Sequence, residues 1–288
     1  MIPAEWMEAA PLLADGAWGT ELQKLGLAPG GCADEWNLSH REEVGSVARA
    51  YREAGSRIVL TNTFRANRIA LAPYGLADRT DEINRAGVEI SRGFAPGALV
   101  FASIGPSGRL LIGEDISAEA LAEAFGEQAA ALWQGGADAL LIETMSDPEE
   151  ARIAIVAAKS TGLPVIASFA FESGRNHDRT MMGATPERCA TVARGAGADA
   201  VGANCGIGME QAAGLCHRLS EASGLPVWIK PNAGMPSTTA DGALSYPATP
   251  EEFAASVPAL VEAGAMFIGG CCGSDPRFIR AMCAALRP

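Results

Sequence analysis

Asp138-Ala139-Leu140-Leu141-Ile142-Glu143-Thr144, followed at once by Asp147-Pro148-Glu149, is the stretch whose reading decides the fold. Its apolar run shows no polar alternation, as expected of a strand covered on both faces and therefore of a parallel sheet. The run closes on two polar residues. Asp147 then offers a helix N-cap, Pro148 a first helical position and Glu149 an early carboxylate. Working outward, comparable runs occur at Pro11–Ala17, Arg57–Phe64, Ala98–Gly105, Pro164–Phe171, Asp199–Cys205, Pro226–Pro231 and Ala265–Gly270. With the first, that makes eight.

The stretches between the runs carry helix signals. Thr185-Pro186-Glu187 and Thr249-Pro250-Glu251 repeat the N-cap, proline and carboxylate pattern, and Ser39-His40-Arg41-Glu42 has capping-box spacing. Glycines at Gly55, Gly136, Gly197 and Gly264 stand where helices would stop before the next run. Eight strand–helix units predict an α/β fold of the (β/α)8 TIM type, folded as a single domain over residues 1–288. A doubly wound open sheet is the competing arrangement. The longest connection, Trp18 to Ser56, is expected to hold an extra loop around Leu27–Cys32. A second polar loop, Glu172–Met182, is placed to fold over the barrel mouth.

Composition narrows the function. A net charge of −12 argues against a nucleic-acid surface, which needs clustered Lys and Arg. No apolar segment approaches the roughly 20 residues that span a bilayer. The acidic N-terminus, Met1–Glu8, lacks a signal pattern, and seven cysteines is an odd number for a disulfide framework. These features together predict a cytoplasmic protein.

In a barrel of this kind the active site lies at the C-terminal ends of the strands. The tips carry Asp15-Gly16, Thr61-Asn62-Thr63-Phe64, Ser103-Ile104-Gly105-Pro106, Glu143-Thr144, Asn204-Cys205, Lys230-Pro231-Asn232 and Gly270-Cys271-Cys272-Gly273. Adjacent side chains on a strand point to opposite faces, so Cys271 and Cys272 serve one centre only if the strand has ended and the backbone turns, which the flanking glycines permit. Three thiolates, Cys205, Cys271 and Cys272, suit a soft tetrahedral metal, zinc first among them, with one position left for a substrate. Three buried, unreactive cysteines are the plainer alternative. Cys32, Cys189, Cys216 and Cys283 lie away from the tips and read as structural or exposed; His40, His177 and His217 lie on helical or loop stretches, and with three cysteines in place none is invoked as a ligand.

These tip motifs, in this order, resemble the homocysteine S-methyltransferase family over essentially the whole chain. The specific part is Asn204-Cys205 with Gly270-Cys271-Cys272-Gly273; Asp15–Thr20 and Thr61–Phe64 add to it. The resemblance implies a zinc enzyme in which Cys205, Cys271 and Cys272 hold the metal and the thiol of homocysteine attacks an activated methyl group, giving methionine. It places Asp15 and Glu143 by the substrate's ammonium group, counts Gly16, Ser103 and Asn204 among the substrate contacts, and suggests backbone amides around Ser103–Gly105 for the carboxylate.

The donor stays open between a betaine-like onium compound, S-methylmethionine and a separate methyl-corrinoid protein. Trp36-Asn37-Leu38 and Arg179–Gly183 lean toward the betaine and methionine-synthase branches, whereas Arg65 and Met209 depart from the family pattern on the donor side. A chain ending at Pro288 is expected to lack folate and cobalamin modules. The alternative is therefore a homocysteine-activating subunit, inactive without a corrinoid carrier. A sequestering or regulatory zinc protein is a third reading.

Overall fold

The computed structural model describes residues 1–113, 115–235, 237–238 and 244–286. The chain end at Pro288 lies outside them. Each expected run contains a strand: β1 (Leu12–Leu13), β2 (Ile58–Leu60), β3 (Leu99–Ile104), β4 (Ala139–Met145), β5 (Val165–Phe169), β6 (Ala200–Asn204), β7 (Val227–Lys230) and β8 (Ala265–Ile268). They pair in parallel in the order β1-β8-β7-β6-β5-β4-β3-β2, with helices outside, as a near-closed TIM-type barrel. The open-sheet alternative is set aside. A small antiparallel pair, Ser237–Thr238 with Leu244–Ser245, follows β7.

The seam between β1 and β2 closes the ring without a regular ladder. Arg57 N–H donates to Leu13 O (2.7 Å), and the Asp15 carboxylate accepts from Leu60 N–H (2.7 Å). This explains why β1 is shorter than its apolar run. Pro11 has no N–H to give, and from Asp15 onward a side chain rather than the backbone meets β2.

Along each strand, alternate residues face the interior. Phe101, Leu141, Ile166, Ala200, Trp228 and Phe267 form the inner apolar layer. Trp6, from the short helix Ala4–Glu8, plugs its lower end, with ring centres 5.1 Å from Phe101. One alternation further along, the same inward face carries Ser103, Glu143, Ser168 and Lys230, with Asn204 two alternations beyond Ala200. The apolar floor and the polar mouth thus follow from one period-2 pattern. Gly202 is the exception in β6, because a Cβ there would lie 2.0 Å from Trp228 O. The other faces of the strands, such as Leu140, Ile142, Val165 and Val201, pack against the helices.

The helix starts form as the sequence predicts at three sites. Asp147, Thr185 and Thr249 each accept a backbone N–H from the first turn, and Glu252 completes a capping box with Thr249. The Ser39–Glu42 capping box does not form. Helix Arg41–Ala54 begins one residue too late for it, with His40 at the N-cap, and Ser39 Oγ donates instead to Glu35 (2.7 Å) from the end of the short helix Trp36–Ser39. The Leu27–Cys32 stretch is irregular, as expected. The Glu172–Met182 loop folds back through a Ser173–Arg179 bridge and is tied outward by Asp178 to Arg218 (3.0 Å). Among the described residues, Cys32, Cys189, Cys205, Cys216, Cys271 and Cys272 form no disulfide. No helix among the described residues is long and apolar enough to cross a membrane.

Candidate metal centre and substrate pocket

The two adjacent cysteines meet as the sequence requires. β8 ends at Ile268, and the chain turns through Gly269 and Gly270; a Cβ on Gly270 would lie 2.2 Å from Ser274 Oγ. The turn is pinned on both sides. Cys271 N–H donates to Pro231 O (2.7 Å), Ala233 N–H donates to Cys272 O (2.9 Å), and Ser274 Oγ donates to Cys271 O (2.7 Å). Cys205 joins from the tip of β6 in a left-handed backbone conformation, φ 57°. The Sγ atoms of Cys205, Cys271 and Cys272 all lie within 4.8 Å of one another, with Cys205 and Cys272 3.7 Å apart.

Beside this triad lies a buried ionic cluster. Lys230 Nζ donates to Asp15 Oδ1 (2.5 Å), with side chains 3% and 0% exposed. The second oxygen of Asp15 accepts from Trp18 Nε1 (2.7 Å) and Leu60 N–H (2.7 Å). Glu143 accepts from Ser103 Oγ and, more loosely, from Asn204 Nδ2 (3.4 Å). Burial pushes the Glu143 carboxyl above its ordinary range, opposed by the Lys230 charge and the Ser103 hydrogen bond. For Lys230, burial works to lower its pKa, but the charges of Asp15 and Glu143 outweigh it and hold the ammonium above its ordinary value.

Local backbone irregularities aim these groups. The pairing of β4 with β5 slips between Ile142 and Met145, so Glu143 and Thr144 sit on a bulge, which re-aims side chains at a strand tip. Thr144 adopts φ 61°, costly for a β-branched residue. Asn204 holds it there: Oδ1 accepts from Thr144 N–H (2.9 Å) and Ser168 Oγ (2.6 Å), while Nδ2 donates to Thr144 Oγ1 (2.7 Å). Asn204 Nδ2 also reaches Cys271 Sγ (3.9 Å), linking the pocket to the triad.

The sequence model of the homocysteine S-methyltransferase family matches residues 12–286. The chain belongs to that family. It is a homocysteine S-methyltransferase family enzyme. A methionine synthase from Mycobacterium tuberculosis (strain ATCC 25618 / H37Rv) is 30% identical over 295 residues, and one from Mycobacterium leprae (strain TN) is 30% identical over the same length. Both alignments take in 96% of this chain but only 24% of the relative, so the chain spans about a quarter of those proteins. Among solved structures, the homocysteine methyltransferase MmuM from Escherichia coli superposes in its metallated form with a TM-score of 0.80 at 24% identity over 98% of both chains. Its oxidised form gives 0.78 at 26% identity over 95% of both.

The triad fits zinc on its own geometry. Zn–S bonds of about 2.3 Å in a tetrahedron place sulfurs about 3.8 Å apart, and Cys205 and Cys272 already stand at that spacing. As bare thiols the three disfavour ionisation. Cys205 is lowered by its hydrogen bond with Cys271, but the contact with Cys272 and burial push it up to about 12. Cys272, lowered by Cys205 and raised by Cys271, also reaches about 12. A divalent cation supplies the positive charge that this crowding calls for. Asn232 Oδ1 is a buried acceptor with no partner among the described residues, on the loop that clamps Cys271 and Cys272.

Asp15, Ser103, Glu143, Asn204, Cys205, Cys271 and Cys272 therefore lie at one mouth, but one expectation needs revision. The amides of Ser103 and Gly105 are already used: Ser103 N–H donates to Thr61 Oγ1 (3.0 Å) and Gly105 N–H to Phe64 O (2.8 Å). What Ser103 presents is its hydroxyl, to Glu143. Gly16 takes no side chain, since a Cβ there would stand 2.5 Å from Ser274 O and 2.8 Å from the Tyr51 ring, and its expected substrate contact would be made by backbone. The residue that sequence reasoning left without a role is Lys230. Its signal was the alternation from Trp228, which puts residue 230 on the inward face. Tyr246 was missed too; its ring packs against Gly273, next to Cys272, from a loop whose approach no local pattern announces.

Proposed function

We propose that this chain, acting as one barrel over residues 1–288, holds zinc on Cys205, Cys271 and Cys272, binds homocysteine beside Glu143, and transfers a methyl group to its thiol to give methionine. The observation that carries this reading is the juxtaposition of a three-sulfur centre at metal spacing with a buried carboxylate one residue-width away through Asn204. Zinc bound there would supply the positive charge that keeps an added thiol deprotonated and nucleophilic near neutral pH.

The protein's own residues do the rest. Glu143 takes the substrate ammonium as a charge-assisted hydrogen-bond partner. Ser103 and Asn204 fix the carboxylate's direction, and the links from Asn204 to Thr144 and Ser168 keep that amide from rotating. With the amino acid so held, its thiol would reach toward Cys205, Cys271 and Cys272, which Asn204 joins to Glu143. The S–CH3 bond forms as the donor's bond to methyl breaks, and the electron pair leaves with the donor. Activated onium compounds such as betaine or S-methylmethionine meet that requirement, as does a methyl-corrinoid.

A second reading rests on one observation, that the methionine synthases matched are about four times longer than the matched region. On it, this barrel activates homocysteine for a corrinoid carrier. Methionine formation by zinc-loaded protein with homocysteine and a panel of small donors, without corrinoid, tests both. Turnover with one donor supports the self-sufficient enzyme and names its donor. No turnover despite bound zinc and homocysteine supports the carrier reading, and no homocysteine binding at all refutes both.

A further inference from the structure

Lys230 is a buried ammonium with three N–H donors, of which Asp15 engages one. It stands over the Trp228 ring, 5.6 Å from its centre, so apolar floor lies below it and the pocket above. Three ionisable side chains share this pocket beside the sulfurs: Asp15, Glu143 and Lys230. Their hydrogen bonds are unequal. Asp15 keeps two N–H donors besides Lys230, from Trp18 and Leu60, whereas Glu143 has one hydroxyl and one long amide contact.

We infer that Lys230 is a positioning residue that sets the pocket's charge: it cancels Asp15, so that the single uncompensated negative charge falls on Glu143 and selects a thiol bearing an ammonium group. The inference rests on the homocysteine reading above. Its logic is a count. With all three ionised, these side chains together carry one net negative charge, separate from that of the sulfur centre, and an α-ammonium neutralises it. Removing Lys230 alone leaves two carboxylates in a buried space, and the repulsion is relieved at Glu143, the one with the weaker hydrogen bonds. Removing the charge of Asp15 alone leaves Lys230 with Glu143 as its remaining counter-charge, and Lys230 then competes with the substrate. Removing both restores the count.

The test is a double-mutant cycle on zinc-loaded protein, reading L-homocysteine affinity by titration calorimetry and zinc content alongside. Lys230→Met and Asp15→Asn are each expected to weaken binding at least about ten-fold. The double variant Asp15→Asn/Lys230→Met is expected to bind more tightly than either single variant, with zinc retained throughout. A merely structural role predicts losses that add, and a double variant weaker than both singles would overturn the inference. So would a direct grip of Lys230 on the substrate carboxylate, which the double variant likewise lacks and does not regain. Should a single variant fail to fold, wild-type protein carries the test with 4-mercaptobutanoate, homocysteine without its ammonium. Binding at least about ten-fold weaker than homocysteine supports the inference, and equal binding overturns it. Wild-type protein that binds no homocysteine refutes the substrate reading itself, a result distinct from tight wild-type binding with additive losses.

Discussion

Replacing Glu143 by glutamine removes the pocket's negative charge while keeping its shape. The amide oxygen still accepts from Ser103 Oγ, but the new NH2 faces Asn204 Nδ2, which is also a donor. Asn204 cannot turn its oxygen toward the newcomer without abandoning Thr144 N–H and Ser168 Oγ. One weak hydrogen bond is lost, worth at most about 1 kcal/mol given its 3.4 Å length. The larger loss is the charge-assisted bond to the substrate ammonium, about 1.5–3 kcal/mol. The first loss falls on free and bound protein alike, so the second sets the affinity: homocysteine binding weaker by roughly 10- to 150-fold. Stability should move little or rise, because burial already disfavours the charged carboxylate. Zinc content should hold, since no sulfur is touched. Titration calorimetry with homocysteine, metal analysis and thermal melting read the three quantities. Homocysteine affinity within about three-fold of wild type would refute the role given to Glu143. Loss of zinc with affinity would instead make Glu143 part of the scaffold of the metal centre.

Three further outcomes are expected. Cys272→Ser should lose zinc and methyl transfer together, so activity persisting in metal-free variant protein would contradict the metal reading. Gly202→Ala drives a Cβ to 2.0 Å from Trp228 O and 2.7 Å from Trp228 Cβ, and should cost about 1–3 kcal/mol or more in denaturant unfolding. Asp34, buried and accepting from Arg65 N–H (3.0 Å), is raised to about 6, chiefly by burial. A raised carboxyl contributes stability that is present below its unfolded value and is lost as pH rises through about 6. Asp34→Asn, which keeps the acceptor, should therefore stabilise at pH 7.5 by on the order of 1–3 kcal/mol. The gain should fade toward pH 4, and a gain independent of pH would exclude the linkage.

The sequence alone determined the eight-fold repeat, because a doubly covered parallel strand writes itself as a short apolar run and a helix start as a cap, a proline and a carboxylate. It also placed Cys205, Glu143 and the Cys271–Cys272 pair at strand tips, since period-2 alternation and flanking glycines are local signals. Where local signals overlap, reading them fails by a residue: the Ser39–Glu42 spacing is right for a capping box, yet the preceding short helix claims Ser39. Tertiary structure decided what depends on ring closure. Asp15 and Lys230 are 215 positions apart and meet only because β7 and β1 flank β8. The same closure sends the Asp15 carboxylate to Leu60 N–H, and the packing of β2 against β3 consumes the Ser103 and Gly105 amides that a motif alone leaves open. Alternation says which way a side chain points. Which partner waits there is fixed by strands brought together from opposite ends of the chain.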